Sequence, residues 1–194
     1  MRRLIGAACA ALLLLIAAGS NARAATMDGL PVRNTGHYAI LDTDKGNIVV
    51  ELYPAVAPKT VENFETLTKK GFYNGLTFHR VVPGFVVQGG DPKGDGSGGS
   101  GQTVPHEYNN AHFVRGTVGL ARAQDPDSGD SQFFICFAPA PNLDGKYAIF
   151  GQVVSGMEHI DAIKKGDPAQ NGAVVNPDHI VRMQIAADAD KDKK

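Results

Sequence analysis

The 194-residue sequence has no tryptophan, only two cysteines, and no excess of either charge. Its 19 basic and 20 acidic residues give a formal net charge of −1. Proteins that grip nucleic acid through its phosphates carry clustered positive charge, so this balance argues against a nucleic-acid partner. The shortage of cysteine excludes a disulfide-rich scaffold, and the fold must therefore depend on an apolar core.

Long apolar runs are also scarce, and the one that stands out lies at the N-terminus. Two arginines precede an apolar run over residues 4–18, and the tripeptide Ala22-Arg23-Ala24 follows shortly after it. A basic start, a short apolar segment and a small-x-small site are typical of a secretory signal peptide. A membrane-spanning helix needs about 20 apolar residues, so the run is short for a retained anchor. We expect cleavage after Ala24, no stable membrane anchor afterwards, and a mature protein in the periplasm or secreted.

Removal of residues 1–24 also removes Cys9 and leaves Cys136 as the single cysteine, so no intramolecular disulfide can form. The remaining chain divides into a polar lead-in over residues 25–36, one domain over residues 37–187 and a charged tail over residues 188–194. Such a tail is expected to fray. The sequence shows no internal repeat, and we expect a monomer.

Several common catalytic motifs are missing. The six histidines form neither His-x-His nor His-Glu-x-x-His, which argues against a metal site. The serine-hydrolase elbow Gly-x-Ser-x-Gly is absent, and Cys136 lies in an apolar segment where a buried, inert thiol is the usual outcome. We therefore expect neither metal nor cofactor. A hydrolase that uses Ser100 or Ser131 with a histidine is supported by composition alone.

Two segments resemble ligand-binding loops without completing the pattern. Residues 94–101 are rich in glycine, but a phosphate loop would end in Gly-Lys-Ser/Thr and no lysine is present there. Residues 125–130 look like half of a calcium loop, but Asp130 stands where glycine is required and Cys136 where glutamate is required. We interpret the first segment as a mobile surface loop and the second as a turn.

Short apolar segments, separated by glycine and proline, predict a mainly β fold. Strands are expected over residues 37–42, 47–53, 77–81, 85–88, 116–120, 132–137, 147–154 and 179–186. Helices are predicted over Pro58–Lys70 and Met157–Lys165, each with apolar residues at every third position and a glycine after its end. Without a βα repeat, these elements predict a closed or nearly closed antiparallel sheet with helices covering its ends.

The segment from Phe78 to Asp91 is unusual because Arg80 and Gln88 lie among strongly apolar strand residues. An arginine on the solvent face of an edge strand would explain the first of them without any function. Phe85 and the phenylalanines of residues 133–137 could equally be ordinary core residues. Spacing alone leaves both interpretations open.

In this segment and four others, the sequence resembles the cyclophilins, a family of peptidyl-prolyl isomerases. Residues 57–64, Ala-Pro-Lys-Thr-Val-Glu-Asn-Phe, are similar to the family's first-helix signature, and residues 78–91 to its central one. Residues 131–135, 143–146 and 150–157 then follow in the family's order. The resemblance covers residues 37–185 and implies a closed eight-stranded antiparallel barrel capped by two α-helices.

The resemblance also implies a site. It makes Arg80 the catalytic arginine and assigns Phe85 and Gln88 to the catalytic residues as well, with Phe85, Phe134 and Leu143 as walls of a proline pocket. Gln88 and Gln132 would contact the peptide backbone. The implied substrate-binding residues are Val86, Ala121, Arg122, Gln132, Phe134, Asn142, Leu143 and Tyr147.

The sequence departs from the best-known eukaryotic pattern at several of these positions. Val86 replaces a common methionine, Arg122 an asparagine, Asn142 a tryptophan and Tyr147 a histidine. The last two positions lie on the rim of the groove, so they affect ligand selectivity more than catalysis. In this family the tryptophan contributes to cyclosporin recognition.

The implied activity agrees with the missing motifs. Rotation about an X–Pro bond makes no covalent bond, and therefore needs neither nucleophile nor metal. The resemblance implies an isomerase that acts on proline-containing polypeptides, and the predicted signal peptide indicates that it assists the folding of exported proteins. The alternative is a non-catalytic proline-peptide binding module or chaperone on the same fold, which loss of Arg80 or Phe85 would have favoured.

Overall fold

The structure is a computed structural model that describes residues 35–186. The predicted signal peptide and charged tail, and all but the end of the polar lead-in, lie outside the described residues. Within them are two helices, α1 (Pro58–Lys69) and α2 (Met157–Ala162). The strands are β1 (Tyr38–Thr43), β2 (Gly46–Leu52), β3 (Arg80–Val82), β4 (Val86–Gly89), β5 (Thr117–Leu120), β6 (Phe133–Cys136), β7 (Ile149–Ser155) and β8 (Ile180–Ile185).

Each predicted strand and helix has a counterpart, with two notable shifts in bounds. The third strand starts at Arg80 rather than at Thr77, because Thr77 makes only isolated bridges, to Asp91 and His179. Helix α2 ends at Ala162, since Ile163 already has extended backbone angles. Apolar periodicity persists beyond the true end of this helix and made it look longer.

Helix α1 shows how local and distant residues cooperate to form an element. Its apolar stripe of Val61, Phe64 and Leu67 is buried, as the spacing predicts. The residue before the helix, Ala57, has no side chain that could cap it. Instead, the Glu107 carboxylate accepts hydrogen bonds from the backbone N–H groups of Lys59 (2.9 Å) and Thr60 (2.8 Å). The helix N-terminus is therefore capped by a residue 47 positions further along the chain.

The eight strands form one antiparallel sheet in the order β3-β4-β6-β5-β7-β2-β1-β8. Strands β3 and β8 are its two edges. The segment before β3 bridges to the start of β8, where Ile180 N–H donates to Leu76 O (2.8 Å) and Phe78 N–H donates to Asp178 O (3.0 Å). The sheet thus curls almost into a barrel but keeps a seam.

The predicted eight-stranded antiparallel fold with two helices is confirmed, but the prediction of a closed barrel overstates the closure, and the reason lies at β3. The outer edge of this three-residue strand is occupied by residues 172–174 rather than by β8. Val81 N–H donates to Gly172 O (2.7 Å), and Val174 N–H donates to His79 O (3.1 Å). Because these backbone groups are already paired, β8 cannot form a ladder with β3.

Alternation along two strands divides the interior between two clusters. On β6, Phe133 and Ile135 pack into the main core with α1 and α2, whereas Phe134 and Cys136 face a second cluster. On β4, Val87 and Val86 divide in the same way. A strand directs successive side chains to opposite faces, so the same residues that build the core also carry a second apolar surface.

Candidate active site

The second cluster lies beneath a surface cavity of about 700 Å³. Ten of the eleven site residues implied by the sequence line this cavity: Arg80, Phe85, Val86, Gln88, Ala121, Arg122, Phe134, Asn142, Leu143 and Tyr147. The eleventh, Gln132, lines an adjoining cavity of about 310 Å³. The two cavities share Gln88, Gly96, Ala121 and Arg122, so together they form one groove with two compartments.

The floor of the larger compartment is apolar. Val86 comes from β4, Phe134 from β6, and Leu143 from the 3₁₀ turn Pro141–Leu143, and all three are buried. The Phe134 ring stacks on Phe113 at 5.5 Å and meets Tyr147 edge-on at 5.6 Å between ring centroids. Held on two sides, the Phe134 ring forms a rigid wall that excludes water from the cavity floor.

This wall requires glycine on the neighbouring strand. A Cβ atom at Gly119, which pairs with Phe134 across β5 and β6, would lie 2.4 Å from the tip of the Phe134 ring. Any side chain there would displace the ring from the cavity. Gly119 therefore belongs to the site through its missing side chain, a role that no motif in the sequence indicates.

Along one side of the floor runs a chain of polar side chains. The register of β3 and β4 places Arg80 opposite Gln88, and Arg80 Nη1–H donates to Gln88 Oε1 (3.1 Å). Gln88 Nε2–H then donates to Gln132 Oε1 (2.9 Å). Gln132 Nε2 in turn donates to the carbonyls of Gly96 (3.0 Å) and Gly98 (2.8 Å). These hydrogen bonds link β3, β4, the residue before β6 and the glycine-rich loop, and they fix which end of each amide faces the arginine.

Arg80 lies on an edge strand, as the non-functional interpretation proposed, but its side chain is only partly exposed and faces the cavity. Nε–H donates to the backbone carbonyl of Asn171 (3.0 Å), and Nη2–H to the Asn171 side-chain oxygen Oδ1 (3.1 Å). With the bond to Gln88, three of five guanidinium N–H groups are used. Burial lowers the Arg80 pKa, yet arginine remains charged at physiological pH.

The glycine-rich loop is exposed, as expected, and is tied down at its start by a buried carboxylate. Asp91 accepts hydrogen bonds from the backbone N–H groups of Lys93 (2.8 Å), Asp95 (3.1 Å) and Gly96 (2.6 Å). Burial alone would raise the pKa of Asp91, but the N–H donors outweigh it and hold the pKa below its usual value. The Gly96 and Gly98 carbonyls that accept hydrogen bonds from Gln132 therefore belong to a loop whose first residues are held in place by Asp91.

The end of the loop is fixed in the same manner. Asp130 accepts from the backbone N–H groups of Ser100 (3.0 Å) and Gly101 (2.9 Å) and also from the Ser100 hydroxyl. The second serine considered for hydrolysis, Ser131, is buried and donates its hydroxyl to Gly90 O (2.7 Å). Both hydroxyls thus serve structural hydrogen bonds, which removes the composition-based case for a serine hydrolase.

Arg122 forms the rim between the two compartments. Its guanidinium carbon lies 4.8 Å from the centroid of the Tyr147 ring and 5.8 Å from that of Tyr108. Its N–H groups donate to the backbone carbonyls of Lys146 (2.9 Å from Nη2) and Ala123 (2.8 Å from Nη1). An asparagine at this position could not bridge the same span, so Arg122 makes the rim of this groove rigid and cationic.

Sequence reasoning missed a third side of the larger cavity, which is formed by His79, Gln170, Asn171, Ala173 and Val174. His79 is buried, and burial lowers its pKa, which keeps the ring neutral near pH 7. The triplet Gln170-Asn171-Gly172 has turn-forming composition and could have indicated a bend. Its proximity to Arg80, 91 positions away, had no signal in the sequence.

The described residues show neither a metal cluster nor a membrane span. Within residues 35–186, no three histidine, cysteine, aspartate or glutamate side chains converge as metal ligands. In the same part of the chain, no helix is long and apolar enough to cross a bilayer. The Cys136 thiol is buried, and burial together with the Asp144 charge raises its pKa to about 12.

Comparison with known proteins agrees with this geometry. Residues 38–185 match the family model for cyclophilin type peptidyl-prolyl cis-trans isomerases. A probable peptidyl-prolyl cis-trans isomerase of Brucella suis is 48% identical over 161 residues, which cover 77% of this chain and 82% of that protein. Peptidyl-prolyl cis-trans isomerase B of Bacillus subtilis is 49% identical over 135 residues, or 69% of this chain and 92% of that one.

A solved structure shows the same fold. The cyclophilin type isomerase of Cryptosporidium parvum, determined in the presence of the dipeptide Ala-Pro, superposes with a TM-score of 0.71 at 31% identity. The match covers 76% of this chain and 98% of that one. The almost closed eight-stranded sheet of this chain is thus the fold of the cyclophilin type isomerases. The chain belongs to the cyclophilin family and is a peptidyl-prolyl cis-trans isomerase.

Proposed function

We propose that Arg80 is the catalytic residue of this isomerase and that the enzyme acts on exported proteins. The observation that carries the first part is the position of the guanidinium. It is held beside an apolar cavity floor by three hydrogen bonds, and two of its N–H groups remain for a substrate. Supporting the second part is the N-terminal sequence, which is typical of a signal peptide.

The chemistry of the reaction explains why a fixed cation is sufficient. Rotation about the X–Pro bond breaks amide resonance and has a barrier of about 18–20 kcal/mol. In the twisted state the prolyl nitrogen regains its lone pair and becomes a hydrogen-bond acceptor. A donor held at that point stabilises the transition state more than either planar ground state, and this difference is what accelerates the reaction. Arg80 stays protonated, so the donor is always present.

The remaining groups of the site hold the substrate on either side of the rotating bond. Phe85, Phe134 and Leu143 receive the proline ring, and their apolar surface favours the twisted amide, which is less polar than the resonant one. Gln88 uses one N–H on Gln132 and keeps a second for a peptide carbonyl. Gln132 and the backbone of Ala121 lie further along the groove, where the residues before proline would run.

Substitution of Arg80 tests this assignment. Loss of a hydrogen bond that involves a charged group costs roughly 1.5–3 kcal/mol, which corresponds to a 10- to 150-fold lower kcat/KM for Arg80→Ala. Arg80→Lys should be similarly impaired, because an ammonium cannot reproduce the planar donor geometry. The measurement is isomerisation of a short Xaa-Pro peptide, with circular dichroism to confirm folding. A folded Arg80→Ala enzyme with undiminished kcat/KM would show that the assignment is wrong.

Export is tested separately, by the mass of the native protein. We expect the mature chain to begin at Ala25 and to be recovered from the periplasm or the medium. Cleavage after Ala22 would shift the site without changing the conclusion. An intact N-terminus that still includes Leu4 would contradict export by a cleaved signal peptide.

A further inference from the structure

Asn171 contacts the proposed catalytic arginine twice, although it belongs to a different part of the chain. Its backbone carbonyl accepts from Arg80 Nε–H (3.0 Å), and its side-chain Oδ1 accepts from Arg80 Nη2–H (3.1 Å). Nε and Nη2 form one edge of the planar guanidinium. A single residue therefore grips this edge with two acceptors, as a carboxylate would, but without a negative charge.

The backbone of Asn171 has an unusual conformation. It follows the 3₁₀ turn Pro168–Gln170 and has φ 54° and ψ 30°, in the left-handed region. Glycine adopts this conformation without strain, and asparagine is among the few other residues that tolerate it. Backbone geometry alone would be served better by glycine. The asparagine side chain is explained by the second acceptor that it offers to Arg80.

The carbonyl of Asn171 is also fixed relative to β3. Gly172 O accepts from Val81 N–H (2.7 Å), one residue from Arg80. A Cβ atom at Gly172, which has φ 79°, would lie 2.6 Å from Val82 Cγ2, so the two segments are in close contact. The backbone carbonyl of Asn171 is therefore held in place by the fold and does not depend on the arginine for its position.

We propose that Asn171 is a positioning residue that sets the orientation of the Arg80 guanidinium for catalysis. It occupies one edge of the group, which leaves the two unused N–H groups to face the cavity. A neutral acceptor suits this role, because a carboxylate would attract the cation away from a substrate lone pair. This inference rests on the proposed function of Arg80.

The test compares Asn171 and Asn176, the two asparagines of the described residues whose backbone lies in the left-handed region. Asn171→Gly keeps the backbone conformation and the carbonyl but removes Oδ1. Asn176→Gly is the matched control, since Asn176 is exposed, has φ 52° and does not line either cavity. We expect Asn171→Gly to lower kcat/KM on an Xaa-Pro peptide by about 2- to 12-fold, the range for loss of one hydrogen bond. Asn176→Gly should match the wild type.

A double variant shows whether Asn171→Gly lowers activity through Arg80 or through an unspecific change in the structure. In the Arg80→Ala background, Asn171→Gly should lower kcat/KM no further, because there is no guanidinium left to orient. A peptide-binding titration should give wild-type affinity for Asn171→Gly, since the apolar walls are intact. An equal loss of activity with and without Arg80 would overturn the proposal, as would an Asn171→Gly enzyme with wild-type kcat/KM.

Side-chain NMR provides a readout that a merely structural role would not affect. The rate of guanidinium rotation about the Arg80 Nε–Cζ bond should rise in Asn171→Gly and stay slow in Asn171→Asp, which restores an acceptor. Unchanged rotation in Asn171→Gly would also overturn the proposal. If Arg80→Ala itself proved fully active, the proposed function would fail instead, and the two failures are therefore distinguishable.

Discussion

At the scale of single residues, the groove combines a fixed cation with neutral partners. Arg80 is surrounded by amide and carbonyl oxygens from Gln88 and Asn171. Such acceptors hold the guanidinium in one orientation without neutralising it, so its positive charge remains available to the substrate. The differences from the common eukaryotic pattern are also differences in single residues. One of them, Asn142, is exposed on the rim of the cavity.

Asn142→Trp should change inhibitor binding without changing catalysis. The resemblance to cyclophilins places a cyclosporin-contacting tryptophan here, and an indole supplies roughly 150–250 Å² of apolar surface as well as an N–H donor. We expect tighter inhibition by cyclosporin and a kcat/KM close to that of the wild type, measured by inhibitor titration. Asn142→Ala is the control and should not tighten binding. A wild type already inhibited as tightly as the tryptophan variant would contradict this expectation.

At the scale of helices and strands, the spacing of apolar residues predicted those features that residues close in the sequence determine. The stripe of Val61, Phe64 and Leu67 in α1 is a local pattern, and the structure confirms this helix. Periodicity had no access to Glu107 at the start of α1 or to Asn171 beside Arg80, because these contacts join residues 47 and 91 positions apart. The resemblance supplied the groove residues, but not the supports behind them.

Glu107→Ala should destabilise the protein while leaving its activity intact. It removes the acceptor for two backbone N–H groups at the start of α1, and loss of a helix cap costs about 0.5–2 kcal/mol. Glu107 lines neither cavity, so kcat/KM should match the wild type. Urea unfolding measures the loss, with Glu62→Ala as the control, since the exposed Glu62 pairs only with Lys59 on the same helix surface. Equal stability of the two variants would show that the cap contributes nothing.

At the scale of the whole molecule, buried ionisable groups determine how stability depends on pH. The pKa of buried His79 is lowered by desolvation, so below about pH 6.5 the unfolded chain binds a proton that the folded one does not. Carboxylates such as Asp91 have lowered pKa values in the folded protein, so their protonation causes a further loss of stability below about pH 4. At the other extreme, burial raises the pKa of Tyr73, which costs stability above about pH 10.

The free energy of unfolding should therefore be highest near neutral pH and decline already below about pH 6.5, before the carboxylates titrate. His79→Gln should remove the first part of this decline and leave the part below about pH 4. Urea unfolding from about pH 3 to 8 measures both parts of the decline. Because no group titrates in the proposed mechanism, kcat should stay nearly flat from about pH 6 to 8. An unfolding free energy that is constant between pH 4.5 and 7 would contradict the role given to His79.

The seam of the sheet also governs when the enzyme can become active during its synthesis. Strand β3 and Gln88 lie in the first half of the chain, whereas the segment that covers the edge of β3 and grips its arginine lies at residues 171–174. A nascent chain that has reached Leu143 already contains the residues of the groove floor, yet Arg80 still has no anchor on its outer side. A working groove therefore requires nearly the entire domain to have been released. If the protein is exported as proposed, its activity begins only after translocation of residue 174.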